Sequence, residues 1–245
     1  MDRMIYVAMS GAKYSLEQQS TIANNLANAN TTGFRAQLTA FRSAETIGDG
    51  APTRAFVVDS TPGSDFRPGV IQQTGRDLDV AVEGPGWIAV QLPNGTEAYT
   101  RDGAFQVNVN GMLQTRNGLS VMGDGGPIAV PADVRVTIAN DGTISTVPNG
   151  GAQTQVQVLG RVKLVNPPEQ SMYRGDDGLF RVRNGVADTD PNVKLQGGAL
   201  EGSNVNVVEA MVGMINVARQ FDMHMKVLQN ADSNDRQATQ ILSAR

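Results

Sequence analysis

Few residues in this chain could do chemistry. Of its 245 residues none is Cys and one is His, His224. Without a thiol there is no disulfide, no Cys-based zinc or iron–sulfur site and no thiol nucleophile. One imidazole cannot build a multi-histidine metal site. As a general base, His224 stands among Met223, Met225 and Lys226, with no nucleophile beside it in sequence. Asp188, Asp190 and Asn192 occupy the first three ligand positions of a calcium loop. That loop also needs Gly at its sixth position and Glu at its twelfth, where the chain has Val193 and Ala199. Gly123-Asp-Gly-Gly126 could suggest a phosphate cradle, but no Gly-Lys-Ser/Thr follows, and it reads as a β-turn. Asp176-Asp177 is the one adjacent carboxylate pair that a glycan-cleaving enzyme could use, and its place between Gly175 and Gly178 reads as a turn. No catalytic, cofactor or metal constellation emerges. The net charge of -4, from 20 basic and 24 acidic residues, gives no basic surface for nucleic acid.

What the chain offers instead is a layout. Asp2 to Asn30 holds no Pro and one Gly, Gly11, and Ile5, Ala8, Ala12, Ser15, Ile22, Leu26 and Ala29 recur at three- to four-residue intervals. That spacing places them on one stripe of a helix. The stripe is thin and made of small residues, which suits close helix contact, and Thr31-Thr32-Gly33 ends it. A longer helix is expected from 206 to 242, opened by Asn206 and Glu209 as a capping box. Its stripe runs through Val208, Met211, Ile215, Ala218, Phe221, Met225, Leu228 and Ala231, resuming at Ala238, Ile241 and Leu242. Such a helix would reach roughly 55 Å. Met211, Met214, Met223 and Met225 read as adaptable packing groups on it.

Between the helices the sequence is of β type. Asn-Gly at 94, 110, 117, 149 and 184, and Asp-Gly at 49, 102, 124, 141 and 177, supply hairpin turns. Short alternating runs lie between them: 105–109, 134–138, 156–158 and 162–164. Period-two alternation predicts antiparallel strands over a single core. Residues 34–75, with Pro52, Pro62 and Pro68, read as an extended connecting segment. The expected fold is therefore mixed α and β, with terminal helices pairing as a coiled coil and a central antiparallel β-rich domain. The expected boundaries are 1–33, 34–75, 76–202 and 203–245, the first and last pairing. An exposed apolar stripe on such a pair marks a site of assembly, and head-to-tail repetition without closure gives a helical filament or tube. The assembly residues so expected are Ile5, Ala8, Ala12, Ile22 and Leu26 on the first helix, and Val208, Met211, Ile215, Ala218, Phe221, Met225 and Leu228 on the second. No cleavable secretory signal and no window apolar enough to span a membrane are found. A soluble chain, not inserted in a membrane, is expected; by ordinary rules it stays in the cytosol, unless export runs by a route that reads no cleavable signal.

Particular residues also carry a resemblance. Ala23-Asn-Asn-Leu-Ala-Asn-Ala-Asn-Thr-Thr-Gly-Phe34 resembles the N-terminal signature of the bacterial flagellar rod and hook proteins, with Asn24, Asn25, Leu26, Asn28, Thr31, Thr32, Gly33 and Phe34 as its motif positions. Leu200-Glu-Gly-Ser-Asn-Val-Asn-Val-Val-Glu209 resembles the C-terminal counterpart, through Leu200, Glu201, Ser203, Asn204 and Val205. Leu78–Val82 and Tyr99-Thr-Arg-Asp-Gly103 are similar to the shared β-domain, so the likeness covers the whole chain. Met1-Asp-Arg-Met-Ile-Tyr6, Ser60-Thr-Pro-Gly63 and 208–226 favour a proximal-rod member over a distal-rod one, and the short middle disfavours a hook protein. The resemblance implies a structural subunit of the basal-body rod in the periplasm, exported by the flagellar type III apparatus without a cleavable signal. Its implied partners are copies of itself, rod subunits above and below, that apparatus and the rod cap, with no small-molecule substrate. Two rivals from other classes are a secreted cell-wall-acting enzyme and a β-domain adhesin with helical stalks.

Overall fold

Local sequence rules account for both terminal helices. A computed structural model describes residues 2–45, 55–148, 156–183 and 185–243. In it α1 (Asp2–Ala27) stops short of Gly33, whose φ of +67° only Gly takes readily. Helix α2 spans Val207–Ser243, and the Asn206 side-chain oxygen accepts from the N–H groups of Val208 (3.1 Å) and Glu209 (3.3 Å), satisfying two orphan donors of its first turn.

Among the described residues eighteen strands lie between the helices: β1 (Gln37–Glu45), β2 (Ala55–Ser64), β3 (Ile71–Gln73), β4 (Val80–Glu83), β5 (Trp87–Gln91), β6 (Glu97–Thr100), β7 (Phe105–Val107), β8 (Leu113–Thr115) and β9 (Ser120–Gly123) form the first half. The second half is β10 (Gly126–Pro127), β11 (Val134–Ile138), β12 (Thr143–Pro148), β13 (Gln157–Arg161), β14 (Leu164–Val165), β15 (Met172–Arg174), β16 (Phe180–Val182), β17 (Lys194–Gly197) and β18 (Ala199–Glu201). Every ladder among them is antiparallel. Asn94-Gly95, Asn110-Gly111, Asn117-Gly118, Asp141-Gly142 and Asp177-Gly178 close hairpins with the glycine at positive φ. Asp102-Gly103 does not: Gly103 lies so close to the Val80 carbonyl that any Cβ there would collide with it. Asp49-Gly50, Asn149-Gly150 and Asn184 lie outside the described residues, as does Pro52.

The chain divides into two compact units, each made of separated pieces. One comprises Met1–Ala29, Ala36–Asp65 and Val205–Arg245, and the other Asn30–Arg35 and Phe66–Asn204. The first unit holds α1, α2 and the β1–β2 ladder, in which Gln37 pairs with Ser64 and Glu45 with Ala55. Of residues 34–75, expected as an extended connector, the described parts contribute a two-stranded ladder to one unit and β3 to the other.

The second unit is β-rich, with one 3-10 turn at Glu169–Ser171 among its described residues. Its largest sheet has the order β15-β16-β6-β5-β9-β8-β7, with β10 on β9 and β14 on β5. A three-stranded sheet β11-β12-β13 and the ladders β17-β4 and β18-β3 complete it. Its core is not single, as alternation alone suggested. One cluster gathers Ile88, Phe105, Leu113, Ile144, Leu164 and Leu195, and another gathers Trp87, Ala89, Tyr99, Val165, Met172 and Phe180. Successive residues of a strand point to opposite faces, so β5 sends Ile88 into the first cluster and Trp87 and Ala89 into the second.

Candidate assembly site

The first unit presents a helix pair. Helices α1 and α2 pack together and run antiparallel, since Gly11 meets His224 while Ile22 meets Gly213. A Cβ on Gly11 would collide with the His224 imidazole, and one on Gly213 would stand 3.4 Å from Ile22 Cδ1. The glycines are notches that admit a ring and a methyl group. Ala8, Ala12 and Ser15 of α1 are buried, and Ile5, Ile22 and Leu26 are half-buried. On α2, Val217 and Ala231 are buried, and Ala218, Phe221, His224 and Leu228 are half-buried. Tyr14 meets Phe41 of β1 edge to face at 5.6 Å.

Of the other described positions expected on the α2 stripe, Ala238 is half-buried and the rest are exposed. Val208 is 70% and Ile215 53% exposed, and Met211, Val212 and Met225 are exposed with them. The stripe read from the sequence steps by fewer residues, on average, than the about 3.6 of a helical turn. It therefore winds around the rod: Val208, Met211 and Ile215 lie on one side, and Phe221, Leu228 and Ala231 face α1. On α1, Tyr6, Met9 and Leu16 are exposed. No side-chain placement is described for Ile241 and Leu242.

In the second unit the two family-like motifs meet. The Gly33 N–H donates to the Glu201 carbonyl at 2.8 Å, and the Asn204 N–H donates to the Phe34 carbonyl at 3.3 Å. Thr32 donates its hydroxyl to Asp102 at 2.9 Å, and Asn204 donates its amide to the Arg67 carbonyl at 2.9 Å. A Cβ on Gly33 would collide with the Arg101 backbone, and one on Gly69 with the Gly202 carbonyl, so four stretches of chain converge too tightly for side chains. Phe34 is buried beneath the Arg174 guanidinium, 4.5 Å from the ring centre. Of the other motif residues, Leu200 is buried, Asn24 and Thr31 are exposed, and Asn28, Ser203 and Val205 are half-buried. Asn25 lies in the first unit, where its amide mimics a strand partner, donating to the Gln37 carbonyl (2.9 Å) and accepting from the Gln37 N–H (2.8 Å).

At the centre of this junction is a buried charge cluster. Glu201 takes Arg35 Nη1 at 2.7 Å on one carboxylate oxygen and Arg101 Nη1 at 3.0 Å on the other, and the Gly69 N–H donates to the first at 2.8 Å. All three side chains are almost wholly buried. Arg101 also donates to the Val82 carbonyl (3.2 Å) and the Gly84 carbonyl (2.6 Å). Both guanidiniums lie over Trp87, at 5.9 Å for Arg35 and 5.5 Å for Arg101. Burial pulls Arg101 down to about 10; Glu201 opposes that shift and the neighbouring Arg35 adds to it. A single carboxylate thus serves two buried cations. Nothing in the residues flanking Arg35 announces this role, because its partners are remote: Arg101 and Glu201 alone stand 100 residues apart.

The candidates for chemistry are engaged locally. Asp190 accepts from the backbone and side-chain N–H groups of Asn192, both at 2.9 Å, in a turn. Asp177 is hydrogen-bonded by Arg181, which holds its carboxyl below the usual range, and by the Leu179 N–H. Gly123 and Gly126 pair across the β9–β10 turn. Among the described residues no group of three or more His, Cys, Asp or Glu side chains could hold a metal ion, and no helix is long and apolar enough to cross a membrane.

Comparison with known proteins places these features in context. Residues 5–35 match the family described as "Flagella basal body rod protein", residues 81–146 "Flagellar hook protein FlgE/F/G D1 domain", and residues 196–241 "Flagellar basal body rod FlgEFG protein C-terminal". The flagellar basal-body rod protein FlgF of Escherichia coli is 48% identical, over 99% of this chain and 99% of its own. FlgF of Caulobacter vibrioides is 34% identical, over 99% and 98%. The flagellar basal-body rod protein FlgG of Buchnera aphidicola (from Acyrthosiphon pisum) is 32% identical, over 93% and 95%. The outer two matched segments each hold one of the motifs that meet at Glu201.

Proposed function

The chain belongs to the family of FlgF flagellar basal-body rod proteins, and on that premise we propose how it is built into the rod. It is a structural subunit and not an enzyme, and it associates with other rod components. In our reading it is the proximal-rod subunit, reaching the periplasm through the flagellar type III apparatus without a cleavable signal. There α1 and α2 form an antiparallel coiled coil, and copies of the chain, with rod subunits above and below and the rod cap, meet through it.

The observation that carries this reading is the exposed row of Val208, Met211, Val212 and Ile215 on α2. Contiguous apolar surface left to solvent marks an interaction site. The α1-facing side of α2 is already used, so this row is free for a neighbour. Ile215→Asp tests it: the side chain is exposed in the single chain, so the purified variant should fold as wild type. In cells it should fail to restore swimming to a strain lacking the protein. Normal swimming by cells carrying Ile215→Asp would reject the row as an assembly surface. Leu26→Asp, at a half-buried position, should also block incorporation. Proximal placement is tested separately by complementing Escherichia coli strains that lack FlgF or FlgG; rescue of the second alone would favour the distal rod.

A further inference from the structure

The carboxylate that neutralises Arg35 and Arg101 lies on the last strand of the β-rich unit. The same short stretch completes that unit in two other ways. It supplies the only ladder partners of β4 and β3 among the described residues, with Leu195 opposite Val82 and Glu201 opposite Ile71. It also sends Leu195, Ala199 and Leu200 into the interior. Without it, Arg35 and Arg101 would be buried as like charges over one Trp87 ring. Among the described residues Arg35 has no second carboxylate to turn to: Glu201, 2.7 Å from its Nη1, is its one ion-pair partner. A buried pair that loses one partner leaves an uncompensated charge, which is far costlier than losing the pair as a whole.

The geometry points to Glu201 as the closing residue of the β-rich unit: residues 30–35 and 66–193 do not reach their folded arrangement alone, and 194–204 complete sheet, core and charge balance in one step. The unit therefore cannot fold from its N-terminal end as the chain emerges. This goes beyond the rod reading. Only its use in delivery, keeping a chain open while it threads a channel, rests on that reading.

Pulse-labelled hydrogen exchange during refolding of the full chain tests the closing step. The Ala89 N–H bonds the Lys163 carbonyl, far from 194–204 in sequence, while the Leu195 N–H bonds Asn140 and the Gly202 N–H bonds Val70. All three amides should gain protection in one kinetic phase. Protection of Ala89 in an earlier phase than Leu195 and Gly202 would overturn the proposal. Glu201→Gln, which keeps shape but removes charge, should lower equilibrium protection across the unit by about 10²–10³-fold. The triple variant Arg35→Met, Arg101→Met, Glu201→Met removes all three charges together and should recover most of that loss. Protection in Glu201→Gln within threefold of wild type, or a triple variant no better than Glu201→Gln, would overturn the charge argument. Refolding is read on the isolated chain, so this outcome is independent of any swimming defect.

Discussion

Tyr99 illustrates what one buried polar atom does for the β-rich unit. Its ring packs in the cluster around Trp87, and its hydroxyl oxygen accepts the Ala187 N–H at 2.7 Å. Burial is the main cause that pushes its phenol up to about 12. A phenol in the unfolded chain ionises near 10, so the fold favours the neutral ring. That contribution is complete below about 10 and is lost as pH rises toward the folded value near 12. Tyr99→Phe leaves the Ala187 N–H without its acceptor and should cost about 1–3 kcal/mol at neutral pH. The stability gap between wild type and Tyr99→Phe should then narrow between pH 10 and 12. Burial draws Arg101 down as well, which acts with the opposite sign. It is present in both proteins, so the difference isolates Tyr99. Denaturant midpoints across that range measure the gap, and a constant gap would reject the assignment.

At the scale of elements, the notch at Gly11 decides how closely α1 and α2 approach. An Ala in a helix interior is ordinarily better than Gly by about 0.5–1 kcal/mol. Here the added methyl would meet the His224 ring. Gly11→Ala should therefore destabilise the first unit by about 1–3 kcal/mol through overpacking. In a His224→Ala background the same change should stabilise it by about 0.5–1 kcal/mol. Unfolding curves of the four proteins give the cycle, and one sign in both backgrounds would contradict the notch. The helices themselves are legible in the sequence, because caps, turns and apolar spacing are local. Asn206 opens α2 as its type suggests, whereas α1 ends at Ala27 and Gly33, expected to end it, bonds Glu201 instead. The face each helix presents is less legible: Phe221 and Leu228 turn to α1 while Val208 and Ile215 turn away, since the apparent stripe winds around α2. His224 looks inert in sequence because its partner is a missing side chain on another helix. Arg35 looks like an ordinary solvated base because its carboxylate is remote. The motifs containing Gly33 and Glu201 can be found by inspection, yet no spacing rule says that they touch.

Taken as a whole, the molecule divides its apolar surface unequally. Among the described residues, the buried apolar side chains of the first unit are Ala8, Ala12, Val217 and Ala231. The second unit buries Ile88, Phe105, Leu113, Ile144, Leu164 and Leu195 almost completely. Hydrophobic stabilisation scales with the apolar area removed from water, so the isolated chain should lose its helices first on heating. The helical far-ultraviolet signal should fall at a lower temperature than the one at which the β-rich unit becomes sensitive to protease. Coincident transitions would contradict this. On the proposed reading, the exposed apolar row of α2 is kept for neighbours while the β-rich unit buries its own apolar side chains. One feature of the β-rich unit also makes the molecule easy to watch. Trp87 is the sole tryptophan, and it touches Phe66 (6.0 Å), Phe180 (4.5 Å) and the guanidiniums of Arg35 and Arg101. All of the chain's indole fluorescence therefore comes from a point where four distant segments join. Its emission reports, without any label, whether those segments have been brought together.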